Sequence, residues 1–370
     1  MKNLLLFSVI WIICLCLIPQ SSHSGTIFCI DKGDQLLVGK NQDWIVDDCL
    51  ILINKRGVKK TAVISHTQAS SDQPASWISK YGSLTFNQYG REIPAGGINE
   101  AGLVVQSAAL KETKYPASDN RAAIGAGPWQ QYMLDNFNTV EEVIESNSKI
   151  RIKDPQGTPG RHFFVTDKMS NCAIIEFIDG KMVYYTNEKM PVNVITNSTY
   201  SKSIEFWKRG KLPDHDPYRS VDRFVSTANM LKNNDPKKSA IEYAFEILQN
   251  VSLGEIEEID GVKVRSFGVA TEFSIVYDIK NLRIYFSTLE NQNIRSINLN
   301  SFDFSCKHSV KVLNIQSDLS GDVTKTFIDY THEINRKLVS NAFKKTLLFY
   351  MPDEAIDAIS RYPETTICTE

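Results

Sequence analysis

The stretch TIFCID, KGDQ, LLVGKNQDW over residues 26–44 constrains the chain more than any other. Two runs of β-branched, aromatic and other apolar residues flank a polar linker in which Gly33-Asp34 suits a two-residue hairpin loop with glycine first. A turn centred between Gly33 and Asp34 pairs Gly25 with Gln42 and sets Asp43 about one residue away, with facing backbones roughly 5 Å apart. Whatever occupies residue 25 therefore meets a carboxylate. Further strand-like runs extend this start into a strand-rich chain: CLILINKRG, TAVISH, GSLTFNQYG, GLVVQSAAL, HFFVTD, CAIIEFIDGKMVYYT and FSIVYDIKNLRIYFST.

Helical periodicity covers residues 135–146, 216–233, 236–251 and 333–349, with Asp216-Pro217 as the expected cap and first turn of the second helix. Strands, then helices, then strands again, with no low-complexity linker and no internal repeat, predict one α+β domain. The domain is expected over residues 25–309, with 310–370 as its C-terminal extension. The 370 residues, 42% of them hydrophobic and 23% charged, suffice for a large core, so disorder over most of the length is excluded. A formal net charge of −2, with no block of Arg and Lys interleaved with aromatics, argues against a nucleic-acid partner.

Residues 1–24 read as an export signal. Lys2 precedes an apolar run from Leu4 to Ile18, and the segment ends Ser22-His23-Ser24, with small residues at the last and third-last positions. About fifteen mostly apolar residues are short for a bilayer span, which disfavours the competing reading as a membrane anchor. Cleavage after Ser24 makes Gly25 the first residue of a periplasmic or secreted chain. Five cysteines then remain, Cys29, Cys49, Cys172, Cys306 and Cys368. Their spacing resembles no zinc motif and indicates no disulfide framework, so each is expected in the core, and at least one thiol stays free.

From the residues alone, the opening hairpin has two readings. One is an ordinary edge hairpin with a solvated Asp43. The other is the frame of an enzyme whose first residue is the nucleophile: a thiol or hydroxyl on residue one, its own α-amine as base, and a carboxylate holding that amine. A free α-amine has a pKa near 8, close enough to neutrality to exchange protons without a histidine.

The string GTIFC…LLVGKNQDW resembles the start of the choloylglycine hydrolase and penicillin V acylase family of linear amide C–N hydrolases, whose mature chains often begin Cys-Thr. The likeness continues through WISKYGSLTFNQYGREIPAGGINEAGLVV (77–105), VITNSTY (194–200), YRSVDRFV (218–225) and TEFSIVYDIKNLRIYFST (271–288). It implies a four-layer αββα Ntn-hydrolase fold, a small-molecule acyl amide as substrate, no cofactor or metal, and often a homotetramer. It further implies that Asp43 orients the N-terminal amine, that Asn197 donates to the tetrahedral oxyanion, and that Arg223 holds the nucleophile end of the site. Lys40 stands where many bile-salt-cleaving members have Arg, which keeps the charge and loses the planar fork. Ala109 stands where those members place Asn or Tyr, which removes one oxyanion or substrate contact.

The family's catalytic Cys aligns with Gly25, and glycine has no side chain to attack an amide. Cys29 lies on the same strand face but roughly 13 Å further along, and Thr26 faces the other side. Three readings of Gly25 follow: a hydrolase missing its nucleophile, a non-catalytic homologue that binds acylated small molecules, or a substitution at a Cys position, since the two codons differ by one base. Retention of Asp43, Asn197 and Arg223 favours recent loss or an introduced change over long drift, because a chain without chemistry gains nothing obvious from keeping them.

Overall fold

The opening hairpin adopts the register its turn dictates. Ser24–Lys32 and Gln35–Trp44 run antiparallel, with Gly25 opposite Gln42 and Lys32 opposite Gln35. The computed structural model describes residues 24–32, 34–63, 72–153, 159–210, 216–233, 238–254, 256–259, 262–265, 268–346 and 352–370. The export segment and parts of several loops, including Gly33 and the end of TAVISH, lie outside the described residues.

The hairpin sits near one edge of a seven-stranded sheet. Its spatial order is Val194–Ile195, Ser24–Lys32, Gln35–Trp44, Ala270–Asp278, Arg283–Thr288, Arg295–Asn298 and Gly321–Asp322. A nine-stranded sheet faces it, in the order Lys181–Tyr185, Cys172–Ile178, Arg161–Thr166, Val104–Ala109, Gly96–Asn99, Ser83–Asn87, Leu50–Asn54, Lys311–Asn314 and Ile328–Asp329. Phe86 of the second sheet meets Phe273, Tyr277 and Phe286 of the first, with ring centroids 6.0, 6.1 and 6.3 Å apart. The two inner faces thus form one core.

Helices Ser220–Lys232 and Ala240–Asn250 cover the outer face of the seven-stranded sheet, and helix Ala126–Asn136 covers the outer face of the other. The order is helix, sheet, sheet, helix, the layered α+β architecture of the Ntn hydrolases. A sheet covered on both faces needs strands buried throughout, which is why Leu50–Asn54 is unbroken LILIN rather than an alternation. Inside the hairpin, Phe28 lies over Gly39, where an added Cβ would come within 2.3 Å of the ring. Glycine there makes room for the aromatic.

Three expectations need correction. The second helix begins at Ser220, not at Asp216-Pro217: the Asp216 carboxylate accepts from Tyr218 N at 2.9 Å, and the Pro217 carbonyl accepts from Arg223 Nη1 at 2.5 Å, so this segment is a turn before the helix. The stretch 135–146 holds only the end of one helix, Ala126–Asn136, whose first nine residues the periodicity does not anticipate, and a second, Val140–Glu145, held by a capping box between Thr139 and Glu142. Cys29, Cys49 and Cys172 are buried and free, but Cys306 and Cys368 form a disulfide across 62 residues.

Residues after 310 supply the last two strands at one edge of the nine-stranded sheet, the edge strand Gly321–Asp322 of the seven-stranded sheet, and two helices, His332–Lys345 and Asp353–Arg361, packed on each other. Asn335 Oδ1 accepts from Arg91 N at 2.8 Å and its Nδ2 donates to Ser360 O at 2.9 Å, tying this helix pair to the loop that follows strand Ser83–Asn87. Among the described residues, no helix is long and apolar enough to cross a membrane.

Candidate active site

Strand pairing assembles the site. Ser24 lies opposite Asp43 and Gly25 opposite Gln42, so the carboxylate stands one residue from Gly25. On the other side of Asp43, Thr271 is its pairing partner. The Thr271 hydroxyl donates to Asp43 Oδ1 at 2.7 Å and accepts from Leu253 N at 2.8 Å. A register shift between Thr271 and Phe273 marks a bulge next to this pair, a device that re-aims side chains beside functional sites. Asp43 is 1% exposed.

Asn197 follows the short strand Val194–Ile195 that flanks the strand of Gly25. Its Oδ1 accepts from Gly25 N at 2.9 Å and from Arg223 Nη2 at 2.6 Å, and its Nδ2 donates to Ala109 O at 3.0 Å. One side-chain amide therefore links the hairpin, helix Ser220–Lys232 and the nine-stranded sheet. Asn197 N donates to Ser220 Oγ at 2.8 Å, which fixes the loop against the start of that helix.

Arg223 is 1% exposed, and its Nε donates to Thr26 Oγ1 at 3.3 Å. Burial lowers its pKa from the ordinary value, with the negative charge of Asp43 the strongest opposing influence. Thr26 does face away from the side chain position of residue 25, as strand alternation requires, but it has a task there: it receives the guanidinium. Lys40 is 2% exposed and donates from Nζ to Ala95 O at 2.8 Å. Burial, reinforced by repulsion from Arg161, brings its pKa down to about 7.

A cavity opens beside these groups, lined by Gln42, Asp43, Tyr89, Ala108, Ala109 and Arg161 among others. A Cβ built on Gly25 would meet Asn41 O at 3.4 Å and the Ala108 Cβ at 3.7 Å, ordinary contact distances next to the cavity wall. Position 25 thus has room for a Cβ. Ala109 offers the site its backbone carbonyl, which holds Asn197, and no side-chain donor. Cys29 is 4% exposed inside the core, where its hydrogen bond with Cys172 and then burial hold the thiol well above the ordinary value. It is no nucleophile for this cavity.

Gly25, Asp43, Asn197, Arg223, Lys40 and Ala109 thus all gather here. Sequence reasoning missed Thr271, Arg161 and the contribution of Thr26. Thr271 opens one of the quoted motifs, but nothing in its spacing signals that it pairs with Asp43. Among the described residues, no group of three or more His, Cys, Asp or Glu could hold a metal ion.

Two stacked sheets between helices form the four-layer fold of the N-terminal-nucleophile hydrolases, and its hairpin sets residue 25 beside a carboxylate, an amide and a buried guanidinium. The chain belongs to the linear amide C–N hydrolases of the choloylglycine hydrolase family, matched over residues 25–312. Penicillin V acylase of Pectobacterium atrosepticum is 24% identical over 311 residues, covering 74% of this chain and 79% of that protein. Among solved structures, penicillin V acylase from Agrobacterium tumefaciens superposes with a TM-score of 0.67 at 24% identity, covering 83% of this chain and 98% of that one. A variant of the conjugated bile acid hydrolase from Clostridium perfringens does so with a TM-score of 0.62 at 20% identity, covering 80% and 98%.

Proposed function

We propose that this chain carries the site of an exported amide hydrolase for acylated amines, and that with Gly25 at the nucleophile position it binds such amides without turning them over. Cleavage after Ser24 makes Gly25 N the α-amine, held by Asn197 Oδ1 and near the Asp43 carboxylate. Asn197 and a backbone N–H then receive the oxyanion of the acyl carbonyl, a service commonly worth about 3 kcal/mol. Export to the periplasm or medium, and assembly as a tetramer, belong to the same reading. The match to the family begins at residue 25, which supports the cleavage point. Penicillin V and conjugated bile acids, the substrates named for the relatives, are the first compounds to try.

The observation that carries the reading is the room at Gly25 beside an otherwise assembled site. A thiol placed there lies within the influence of the cationic Arg223 and, below about pH 7, of Lys40, which favour the thiolate. The test is Gly25→Cys, exported and checked by intact mass for processing before the new cysteine. Penicillin V or bile-salt hydrolysis is expected to rise by several orders of magnitude over the parent, since nucleophile and oxyanion donors act as a unit. Adding Cys29→Ser is expected to leave the restored rate nearly unchanged. A folded, correctly processed Gly25→Cys chain that cleaves none of these amides refutes the reading.

A further inference from the structure

The family match ends at residue 312, and helix His332–Lys345 lies beyond it. That helix nonetheless reaches the active site. Part of the cavity wall is made by Trp44, which follows Asp43 in the chain, and by Tyr89, Ile93 and Pro94 from the loop after strand Ser83–Asn87. Trp44, Val46 and Ala342 form a small core of their own with Tyr89 packed against it, and the Tyr89 and Phe343 rings meet edge to face with centroids 5.4 Å apart. Two aromatic residues of the cavity are therefore seated on residues that the family match does not include.

Hydrogen bonds fix the same seat. Trp44 Nε1 donates to Tyr89 Oη at 2.7 Å, Tyr89 Oη and Thr346 Oγ1 are 2.9 Å apart, and Thr346 Oγ1 lies 2.7 Å from Ala342 O. An indole N–H only donates and a carbonyl only accepts, so Thr346 donates to Ala342 O and the Tyr89 hydroxyl donates to Thr346. The chain of donors thus runs one way, from the cavity to the end of the helix. Thr346 is fully buried, so no solvent stands ready to replace its hydroxyl. Neighbouring contacts hold the helix to the wall as well. Gly90, next to Tyr89, has a φ of +112°, and a Cβ there would come within 2.9 Å of Val339 Cγ2. Lys345 pairs with Asp47 and, at 3.1 Å, with Asp48, both in the segment that follows Trp44.

Resting on the amide-binding reading above, we infer that the C-terminal helix belongs to the active site: Phe343 and Thr346 are positioning residues that set the Trp44–Tyr89 wall, and thereby how tightly the cavity holds its amide. Neither lines the cavity itself. A wall of this kind meets the ground state and the transition state alike, so its displacement raises KM and leaves kcat.

The test is Thr346→Val, which removes the hydroxyl and keeps the branched shape, with Thr346→Ser as the variant that keeps the hydroxyl. In the Gly25→Cys background, Thr346→Val is expected to raise KM for penicillin V or a conjugated bile acid by about 2- to 12-fold, the range for one hydrogen bond, with kcat within about twofold. Thr346→Ser is expected to stay near the unsubstituted KM. In the parent Gly25 chain, calorimetry is expected to show the same factor in Kd, and Phe343→Leu a rise of the same sign. The indole N–H resonance of Trp44, assigned by its loss in Trp44→Phe, needs no ligand: it is expected to shift in Thr346→Val and Phe343→Leu and to hold in Thr346→Ser. A lowered urea midpoint with KM and Kd unchanged shows a merely structural helix and overturns the assignment, and so does an unmoved Trp44 resonance. A shifted resonance in a Gly25→Cys chain that neither binds nor cleaves these amides sinks the amide-hydrolase reading and leaves the assignment of the wall standing.

Discussion

Lys40 offers a sharp electrostatic test of the site. Its ammonium is buried, bonded to the Ala95 carbonyl and repelled by Arg161, and its pKa falls from the ordinary 10.5 to about 7. Cys49 lies close by, but burial pushes its thiol up, so it stays neutral and lends no support below strongly alkaline pH. Because the folded pKa lies below the unfolded one, the unfolded chain holds more protons between the two values, and stability rises with pH across that window. The cost of burying the charge is in full force below about pH 7 and is relieved as the group deprotonates in the native state. Integrated from about pH 6.5 to about pH 9.5, this one residue adds about 3 kcal/mol, at most about 1.4 kcal/mol per pH unit. Lys40→Met removes the titration and leaves Ala95 O without this donor, a penalty that does not depend on pH. The expected result, from urea unfolding of parent and variant at matched pH, is a parent-minus-variant difference that climbs by about 3 kcal/mol over this range. A flat difference refutes the reasoning and means that Lys40 is solvated in the native state.

Two further expectations concern the frame around the site. Lys60 is buried with Glu92 at 2.6 Å and Asp135 at 3.0 Å, all three at or below 2% side-chain exposure, so Lys60→Met leaves the buried Asp135 without its cation and Glu92 with Arg91 at 3.6 Å, and is expected to cost about 3–5 kcal/mol in urea unfolding. A loss under about 1 kcal/mol would show that water reaches the pair. The Cys306–Cys368 bridge closes a loop with a separation of 62 residues, for which chain entropy gives roughly 4 kcal/mol; replacing both by Ser should lower the urea midpoint, and reductant should do the same to the parent alone.

What was legible in the sequence follows from which forces act locally. The hairpin register could be read because a two-residue turn and a period of two leave one pairing, and Gly25 opposite Gln42 is its outcome. Helix Ala126–Asn136 was not legible, because it is buried on nearly every side and so has no amphipathic stripe: beside Trp129, Met133 and Leu134, the polar Gln130, Gln131 and Asp135 are at most 1% exposed. Gln131 Nε2 donates to Asp135 Oδ1 at 2.8 Å, and Trp77 Nε1 donates to Asp135 Oδ2 at 2.8 Å. Partners from other elements make that burial tolerable, and no periodicity in the helix itself announces them. The late start of helix Ser220–Lys232 has a similar origin, since the Pro217 carbonyl that a longer helix would use internally is taken by Arg223. The disulfide joins residues whose proximity is set wholly by the fold, so spacing carried no signal for it.

The bonds of Asn197 also change what its retention means. From the sequence, a chain without a nucleophile has no reason to keep Asn197 or Arg223, but the amide bonds of Asn197 hold together the hairpin, the helix and the nine-stranded sheet, and Arg223 anchors Thr26 and Pro217 as well. Both residues therefore have a structural reason to persist, whatever the chemistry. Asn197→Ala in the parent Gly25 chain takes from the buried Arg223 its side-chain amide acceptor and from Ala109 O its donor, an expected loss of about 1–3 kcal/mol. Asn197→Asp keeps the acceptor toward Gly25 N, gives Arg223 a charged partner and sets a carboxylate oxygen against Ala109 O, so it should lie between parent and Ala in urea unfolding. If Asn197→Ala instead changes stability by less than about 0.5 kcal/mol, the structural reason disappears, and its presence beside an open Gly25 points to chemistry lost recently.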